Sequence, residues 1–322
     1  MNYKKVNLSF LLAEKYKNYD IYLKLHKKFI KYQNKNHIDE NKLHELKYKG
    51  VENVFLNQED YEHYIKNKIN DLSNFQNFNL KEKQKILNEF QKDQELLSKV
   101  MTNTGLVPSE KISEIEALKN KTINFIKSID SLKSLYEVFE KNHINSVIKK
   151  QMEIIFITEL LNKIPNIKKE YIEEMITAIL IFDCLLSEKE YWESLKKEDP
   201  YSDKIKNHPV EIVQYIPKTM LRSFIISFIK QHHEKPDGSG YPNKIDCSDM
   251  NIFTASYVVI EDLVSELLIA GMKENIIDET IDNIVKKYRV YVNTSFDQAI
   301  NALIKIKKDR NFFNKIGVQS VG

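Results

Sequence analysis

The chain has 322 residues, of which 42% are hydrophobic and 30% are charged, and its 49 basic and 46 acidic residues leave a net charge of +3. This length suffices for about two domains with a real core. The near balance of charge, without a dense basic tract, argues against a nucleic-acid-binding protein. We therefore expect the lysines to lie on solvated helix faces.

The cysteines and the apolar segments indicate the compartment. Cys184 and Cys247 form no CxxC motif, so a reducing environment is expected. The N-terminal apolar run, of about five residues, is short for a secretory signal. Residues 175–186, MITAILIFDCLL, include a charged residue and are too short to cross a bilayer. These features predict a cytoplasmic protein without a membrane span.

Residues 1–75 are predicted to form a small α+β module. The alternation of apolar and polar residues in 19–33 favours a strand or hairpin, and 51–57 favours a further strand. Residues 39–50 have an acidic start and a final glycine, which is typical of a short capped helix. We expect a regulatory role for this module, through which a protein partner could bind.

The rest of the chain is predicted to be helical. Residues 76–130 are interpreted as a helical linker, and residues 131–316 as a helical domain. From residue 109 onward, apolar residues recur at intervals of three and four, with prolines at the boundaries. The predicted fold class is therefore mainly α, with a helical bundle that follows the α+β module.

The segment QHHEKPDGSGYPNK, residues 231–244, gathers residue types that are scarce elsewhere. It contains two of the 8 histidines and two of the 7 glycines. Adjacent histidines at a helix end can both reach one crevice, and imidazole is a good ligand for Fe, Mn or Zn. The glycines allow a tight reversal that brings the following loop over that crevice.

The string HHEKPDGSGYP, residues 232–242, resembles the signature HHExxDGxGYP of the HD-GYP family, a branch of the HD phosphohydrolase superfamily. His208-Pro209 upstream and Asp262 on a downstream helix resemble further family features, so that the resemblance covers residues 140–306. It implies an all-helical HD-type domain with divalent metal ions. The implied activity is hydrolysis of cyclic di-GMP, through the linear dinucleotide to GMP.

The resemblance also implies roles for particular residues. The implied metal ligands are Asp183, His208, His232, His233 and Asp262. The implied catalytic residues are Asp183, Asp237 and Tyr241, and the implied substrate contacts are Gly238, Gly240, Tyr241 and Pro242. One or two divalent ions are expected, with Fe or Mn favoured over Zn or Mg.

Position 182 departs from the family pattern, in which a histidine precedes the metal-binding aspartate. Phe182 has no lone pair to give to a metal. A further family histidine, on an earlier helix, falls by spacing on Lys149, Lys150 or Gln151, and His143 is the nearest histidine. The predicted site therefore keeps one complete metal shell and loses most of another.

Three functions stay open at this point. The full signature favours a cyclic di-GMP phosphodiesterase, whereas Phe182 favours a degenerate receptor that binds cyclic di-GMP or a protein partner without catalysis. The third is a helical interaction protein without a ligand. Metal content would separate the third from the others, and turnover would separate the first two.

Overall fold

A computed structural model describes most of the chain, namely residues 3–8, 11, 19–26, 28–35, 39–51, 53–64, 79–103, 105–128, 146–195, 202–270, 274–309 and 311–312. The chain divides into two compact units, Met1–Ser73 and Asn74–Gly322. Each unit is described by itself.

The N-terminal unit is built on a four-stranded antiparallel sheet. The strands are β1 (Tyr3–Asn7), β2 (Ile21–Leu25), β3 (Lys28–Gln33) and β4 (Asn53–Asn57), in the order β1-β4-β2-β3. The β2–β3 hairpin confirms the prediction from the alternating residues, and β1 is a strand that the apolar pattern did not indicate.

A short helix, α1 (Glu40–Tyr48), packs on this sheet. Asp39 caps it by accepting hydrogen bonds from two backbone N–H groups, and Gly50 follows its end with φ 81°, in the left-handed region that favours glycine. Leu43 and Leu46 belong to one buried cluster with residues of β1, β2 and β4. The unit therefore has a hydrophobic core of its own.

The second unit consists of helices joined by loops. Its helices are α2 (Leu80–Thr102), α3 (Pro108–Ser128), α4 (Ser146–Lys163), α5 (Lys169–Ile181), α6 (Glu188–Ser194), α7 (Asp203–Glu211), α8 (Ser223–Gln231), α9 (Ile252–Ala270), α10 (Glu274–Tyr288) and α11 (Thr294–Lys308). The protein is therefore mainly α with a small α+β unit, as predicted. Among the described residues, no helix combines the length and the apolar character that a membrane span requires.

Helix α4 is buried on all its sides over residues 146–157, and it packs against α5, α9 and α11. Such a helix is normally apolar throughout, yet this one buries charged side chains. Lys149 and Lys150 are 1% and 4% exposed. Lysine is almost never fully buried without a partner. The expectation that the lysines lie on solvated faces is therefore wrong for these two.

Helices α2 and α3 lie in the predicted linker, residues 76–130. They pack against each other and against α4 and α5, within the second compact unit. The functional boundaries expected at residues 75 and 130 stay predictions.

Candidate metal centre

Three histidines and one aspartate of the helical unit converge on one point. Asp183, His208, His232 and His233 each offer one ligand atom, and these atoms lie within 4.8 Å of one another. The first three side chains are almost fully buried, whereas His233 keeps 10% of its side-chain surface exposed. The structure thus brings together the four residues of the metal shell that was predicted to be complete.

All four residues lie at the C-terminal ends of helices. Asp183 comes shortly after α5, His208 is in the last turn of α7, and His232 and His233 follow α8 directly. The last carbonyls of a helix have no intrahelical partner. Nδ1 of His232 lies 2.7 Å from one of them, the carbonyl oxygen of Ile229. A helix end therefore orients this ring.

The His-Pro pair orients the second ring in a similar way. In an α-helix the N–H of residue 209 would bond to the carbonyl of Ile205, but Pro209 has no N–H to donate. The freed carbonyl oxygen of Ile205 lies 2.6 Å from Nδ1 of His208. The proline thus supplies the acceptor that holds the preceding histidine.

These two contacts decide which ring nitrogen faces the centre as a ligand. A carbonyl oxygen can only accept, so Nδ1 carries the proton in both rings and a neutral ring leaves a lone pair on Nε2. His208 Nε2 lies 3.2 Å from His232 Nε2, and the two nitrogens lie 3.1 and 3.3 Å from Asp183 Oδ1. Three electron-rich atoms at such distances repel one another unless a proton or a metal cation lies between them.

The charge states favour a metal cation. Burial lowers the pKa of His232 and, more strongly, that of His233, so both rings are held neutral. His233 Nε2 is buried without a hydrogen-bond partner among the described residues and lies 4.0 Å from Asp183 Oδ1. Neutral imidazoles and a carboxylate are the forms that bind metals. The group can therefore hold a divalent transition metal ion.

The second carboxylate oxygen of Asp183 faces an ammonium group. Lys150 Nζ lies 3.1 Å from Asp183 Oδ2, and the two side chains are 5% and 3% exposed. Burial would raise the pKa of Asp183, but the charge of Lys150 and the contacts with His208 and His232 outweigh it and hold the pKa well below its usual value. Asp183 therefore stays ionised and links the histidines to Lys150.

A second buried ammonium precedes Lys150 in the chain. Lys149 pairs with Glu153, and its Nζ lies 2.9 Å from Glu261 Oε1. Burial alone would lower the pKa of Lys149, but these two carboxylates outweigh it and raise the pKa. Tyr257 donates a hydrogen bond of 3.3 Å to the other carboxylate oxygen of Glu153. Lys149 is therefore held as a cation in the core.

Phe182 packs directly against the histidine group. Its ring stacks on that of His232, with centroids 4.2 Å apart and planes inclined by 19°, and it is 1% exposed. Lys150 Nζ lies 5.0 Å from the centroid of the same ring, within the range of a cation–π contact. Phe182 thus packs against the ring of His232 and against the ammonium group of Lys150, but it has no lone pair to give to a metal.

The signature loop packs under His233. Gly240 approaches the preceding backbone so closely that an added Cβ would lie 2.3 Å from Lys235 N and 2.5 Å from His233 O. The Tyr241 ring stacks on the His233 ring at 4.7 Å. Glu234 accepts hydrogen bonds from two backbone N–H groups further along the loop. The loop therefore fixes the position of one metal-ligand candidate.

Comparisons with known proteins give one solved structure. No family model matches the chain, and no curated protein does. The solved structure is of Bd1817, a HDG"Y"P protein from Bdellovibrio bacteriovorus, at 18% identity and a TM-score of 0.45, covering 95% of this chain and 100% of that one. At this identity and TM-score the two chains are only similar. The assignment of the metal site therefore rests on the distances and contacts within this chain.

Two predicted carboxylate residues lie outside the four-residue group. Asp262 Oδ2 accepts hydrogen bonds from Lys287 Nζ at 2.5 Å and from the Tyr288 hydroxyl at 3.2 Å. Asp237 is exposed, and its carboxylate accepts from the backbone N–H and hydroxyl of Ser239. Neither carboxylate joins the histidines, because each is engaged by its own neighbours.

The remaining predictions concern the signature loop and His143. Tyr241 is buried, and its hydroxyl donates to the carbonyl of Ser194 at 3.3 Å. This hydrogen bond holds in place the ring that stacks on His233. Gly238 has φ 75° in the turn of the loop. The substrate contacts expected of Gly238, Gly240, Tyr241 and Pro242 stay predictions. His143, the alternative early ligand, lies outside the described residues.

The buried charged residues of α4 were missed as members of the site. Lys149 and Glu153 are four residues apart, which is also the spacing of an ordinary surface ion pair. The one available signal was the spacing of the missing family histidine, which falls on residues 149–151. That spacing indicated the place but not that lysines would fill it.

Proposed function

We propose that this protein is a metal-dependent phosphodiesterase that hydrolyses cyclic di-GMP, through the linear dinucleotide to GMP, in bacterial second-messenger signalling. The observation that carries this proposal is the convergence of Asp183, His208, His232 and His233, with Nε2 of two rings directed to the centre. The substrate class comes from the resemblance of residues 232–242 to the HD-GYP signature.

The metal supplies the chemistry that side chains cannot. A bound divalent ion lowers the pKa of water and acts as a Lewis acid on a phosphoryl oxygen. The four ligand residues would hold that ion, with Fe or Mn favoured for a site of imidazoles and carboxylate. Lys150 keeps Asp183 ionised and oriented, so one carboxylate oxygen stays directed at the histidines.

The substrate phosphate is proposed to approach from the side of His233. Asp183, His208 and His232 are almost completely enclosed, whereas His233 is partly exposed. The loop of residues 238–242 adjoins His233 and is the proposed rim for the nucleotide, with Gly238, Gly240, Tyr241 and Pro242 as its members. Asp237 closes the turn of that rim through Ser239.

A receptor without catalysis is the second candidate. Phe182 lies where the family pattern has a metal-binding histidine, and the Asp262 carboxylate is hydrogen-bonded to Lys287 rather than joined to the group. Loss of a second metal weakens the stabilisation of charge on a phosphodiester, since two-metal sites clamp both the attacking and the leaving oxygen. Such a protein would bind cyclic di-GMP and release it unchanged.

The test is turnover by the metal-loaded protein. The chain is loaded with Mn²⁺ or Fe²⁺ under anaerobic conditions, and the products from cyclic di-GMP are separated chromatographically. We expect the linear dinucleotide and GMP from the natural protein and none from His208→Ala. His44→Ala, which changes an exposed histidine of the N-terminal unit, serves as the matched control and should retain turnover. Binding without product would favour the receptor, and neither metal nor nucleotide binding would exclude both candidates.

We also propose that the N-terminal unit is regulatory and docks a protein partner, and that the protein works in the cytoplasm. Its separate hydrophobic core supports a role independent of the metal group. Affinity capture after crosslinking in cells would test the docking role. The proteins retained by residues 1–73 would be compared with those retained by the full chain.

A further inference from the structure

We propose that the ammonium group of Lys150 takes the place of a second metal ion. The protein would then hold a single divalent ion, and Asp183 would bridge that ion and Lys150. This inference rests on the proposed metal site, but it concerns a residue that neither the signature nor the four-residue group includes.

The two oxygens of Asp183 face different groups. Oδ1 lies 3.1 and 3.3 Å from two imidazole nitrogens, whereas Oδ2 lies 3.1 Å from Lys150 Nζ. In two-metal sites the ions stand about 3.5–4 Å apart and share bridging ligands. The carboxylate has the arrangement of such a bridge, with an ammonium on its second oxygen.

The remaining ligands for a second ion are absent from this place among the described residues. Position 182 is a phenylalanine, and Lys150 Nζ lies 5.0 Å from the centroid of its ring. The carboxylate of Asp262 is engaged by Lys287 and Tyr288. A second ion would have to displace Lys150 from Oδ2 and would find few donors in return.

The charges of neighbouring residues also disfavour a second metal ion. Lys149 is held as a cation by Glu153 and Glu261, so that pair of carboxylates is also committed to an ammonium. Like charges at short distance repel strongly where water is excluded. A divalent ion in contact with the fixed ammonium group of Lys150 is therefore disfavoured, unlike an ion on the side of the three imidazoles.

Lys150 is in this view a positioning residue. It cannot exchange with solvent as a metal ion can, and its contacts with the rings of Phe182 and Tyr191, at 5.0 and 5.3 Å, hold it in place. It keeps Asp183 oriented toward the histidines and supplies one permanent positive charge beside the ion.

The experiment counts metal ions rather than turnover. The full chain is loaded with Mn²⁺, desalted, and examined by elemental analysis and electron paramagnetic resonance. We expect about one Mn²⁺ per chain with the spectrum of an isolated ion, because coupled spectra need two ions in close contact. Two coupled ions in the natural chain would overturn the inference while leaving the metal site intact. No bound ion would instead overturn the metal site, and this inference with it.

Variants then ask whether Lys150 excludes the second ion. Phe182→His alone should still bind one ion, because Lys150 remains on Oδ2. Phe182→His with Lys150→Met should approach two coupled ions, and Phe182→His with Lys150→Arg, which keeps the charge, should return to one. Phe182→His with Lys163→Met is the control, since Lys163 is also a lysine of α4 that pairs with two carboxylates, Glu159 and Asp309, but its side chain is 27% exposed. A folded Phe182→His, Lys150→Met chain that binds only one ion would contradict the proposal.

Discussion

The phenyl ring of Phe182 stacks on the imidazole of His232, with ring centroids 4.2 Å apart and planes inclined by 19°. The ring of Phe182, which cannot bind a metal, thus fixes the plane of the His232 ring, which can. Phe182 also makes edge contacts with Phe228 and Tyr257. Removing the stacking surface should therefore affect metal affinity as well as stability.

Phe182→Leu is expected to weaken metal binding. A smaller side chain leaves His232 less firmly oriented, and we expect about 10-fold lower Mn²⁺ affinity, the scale for loss of support behind a ligand. The free energy of unfolding should fall by about 1–2 kcal/mol. Phe228→Leu is the control, because the ring contacts described for Phe228 are with Phe182 and Tyr257. Equal loss of Mn²⁺ affinity in both variants, measured by titration calorimetry, would show that stacking on His232 has no particular role.

Gly240→Ala should disrupt the loop that supports His233. The added methyl group would lie 2.3 Å from Lys235 N and 2.4 Å from Glu234 Cα, both in the backbone, so the chain would have to shift. We expect a loss of about 1–3 kcal/mol in the free energy of unfolding, together with weaker Mn²⁺ binding. Gly105→Ala is the control, since its methyl would meet only the end of the Asn103 side chain. Unchanged Mn²⁺ affinity in Gly240→Ala would separate the loop from the metal site.

The capping residue Glu190 should make part of the stability depend on pH. Hydrogen bonding from Lys204 is the main reason that the pKa of Glu190 falls from 4.5 to about 2. Its contribution is therefore complete above pH 4.5 and is lost as the pH falls toward 2. Glu190→Gln should cost about 1 kcal/mol at neutral pH, the scale of a helix cap, and the difference from the natural chain should shrink toward pH 2.

Urea unfolding of both chains at several pH values measures this difference. Glu193→Gln on the same helix is the control, since the ion pair described for Glu193 is an exposed one, with Lys189 at 3.8 Å. A difference between the natural chain and Glu190→Gln that stays constant down to pH 2 would mean that Glu190 acts through something other than its charge.

Deletion of residues 1–73 should leave metal binding intact. The N-terminal unit has its own core, and the four-residue group lies within the second unit. The truncated chain should bind about as much Mn²⁺ as the full chain, within about 2-fold in affinity. A truncated chain that stays folded by circular dichroism but binds no metal would show that the two units depend on each other for the site.

The four metal-ligand candidates could be named from the sequence because the motifs that contain them resemble a family pattern, and local contacts orient two of the four. His208 is oriented by a carbonyl that Pro209, the next residue, leaves free, and His232 by a carbonyl of its own helix. The β2–β3 hairpin and the cap of α1 were likewise predictable, because alternation and capping depend on neighbours in the chain.

The surroundings of Asp183 were decided only by tertiary structure. The Asp262 carboxylate is engaged by Lys287 and Tyr288, which lie 25 and 26 residues further along the chain. The pattern of α4 indicated surface lysines at positions 149 and 150, but α5, α9 and α11 enclose this helix. Asp183, shortly after α5, and Glu261 of α9 are their partners. Burial and the identity of a partner depend on which helices meet. No periodicity within one helix contains that information, and for that reason the signature predicted the ligands but not the ammonium beside them.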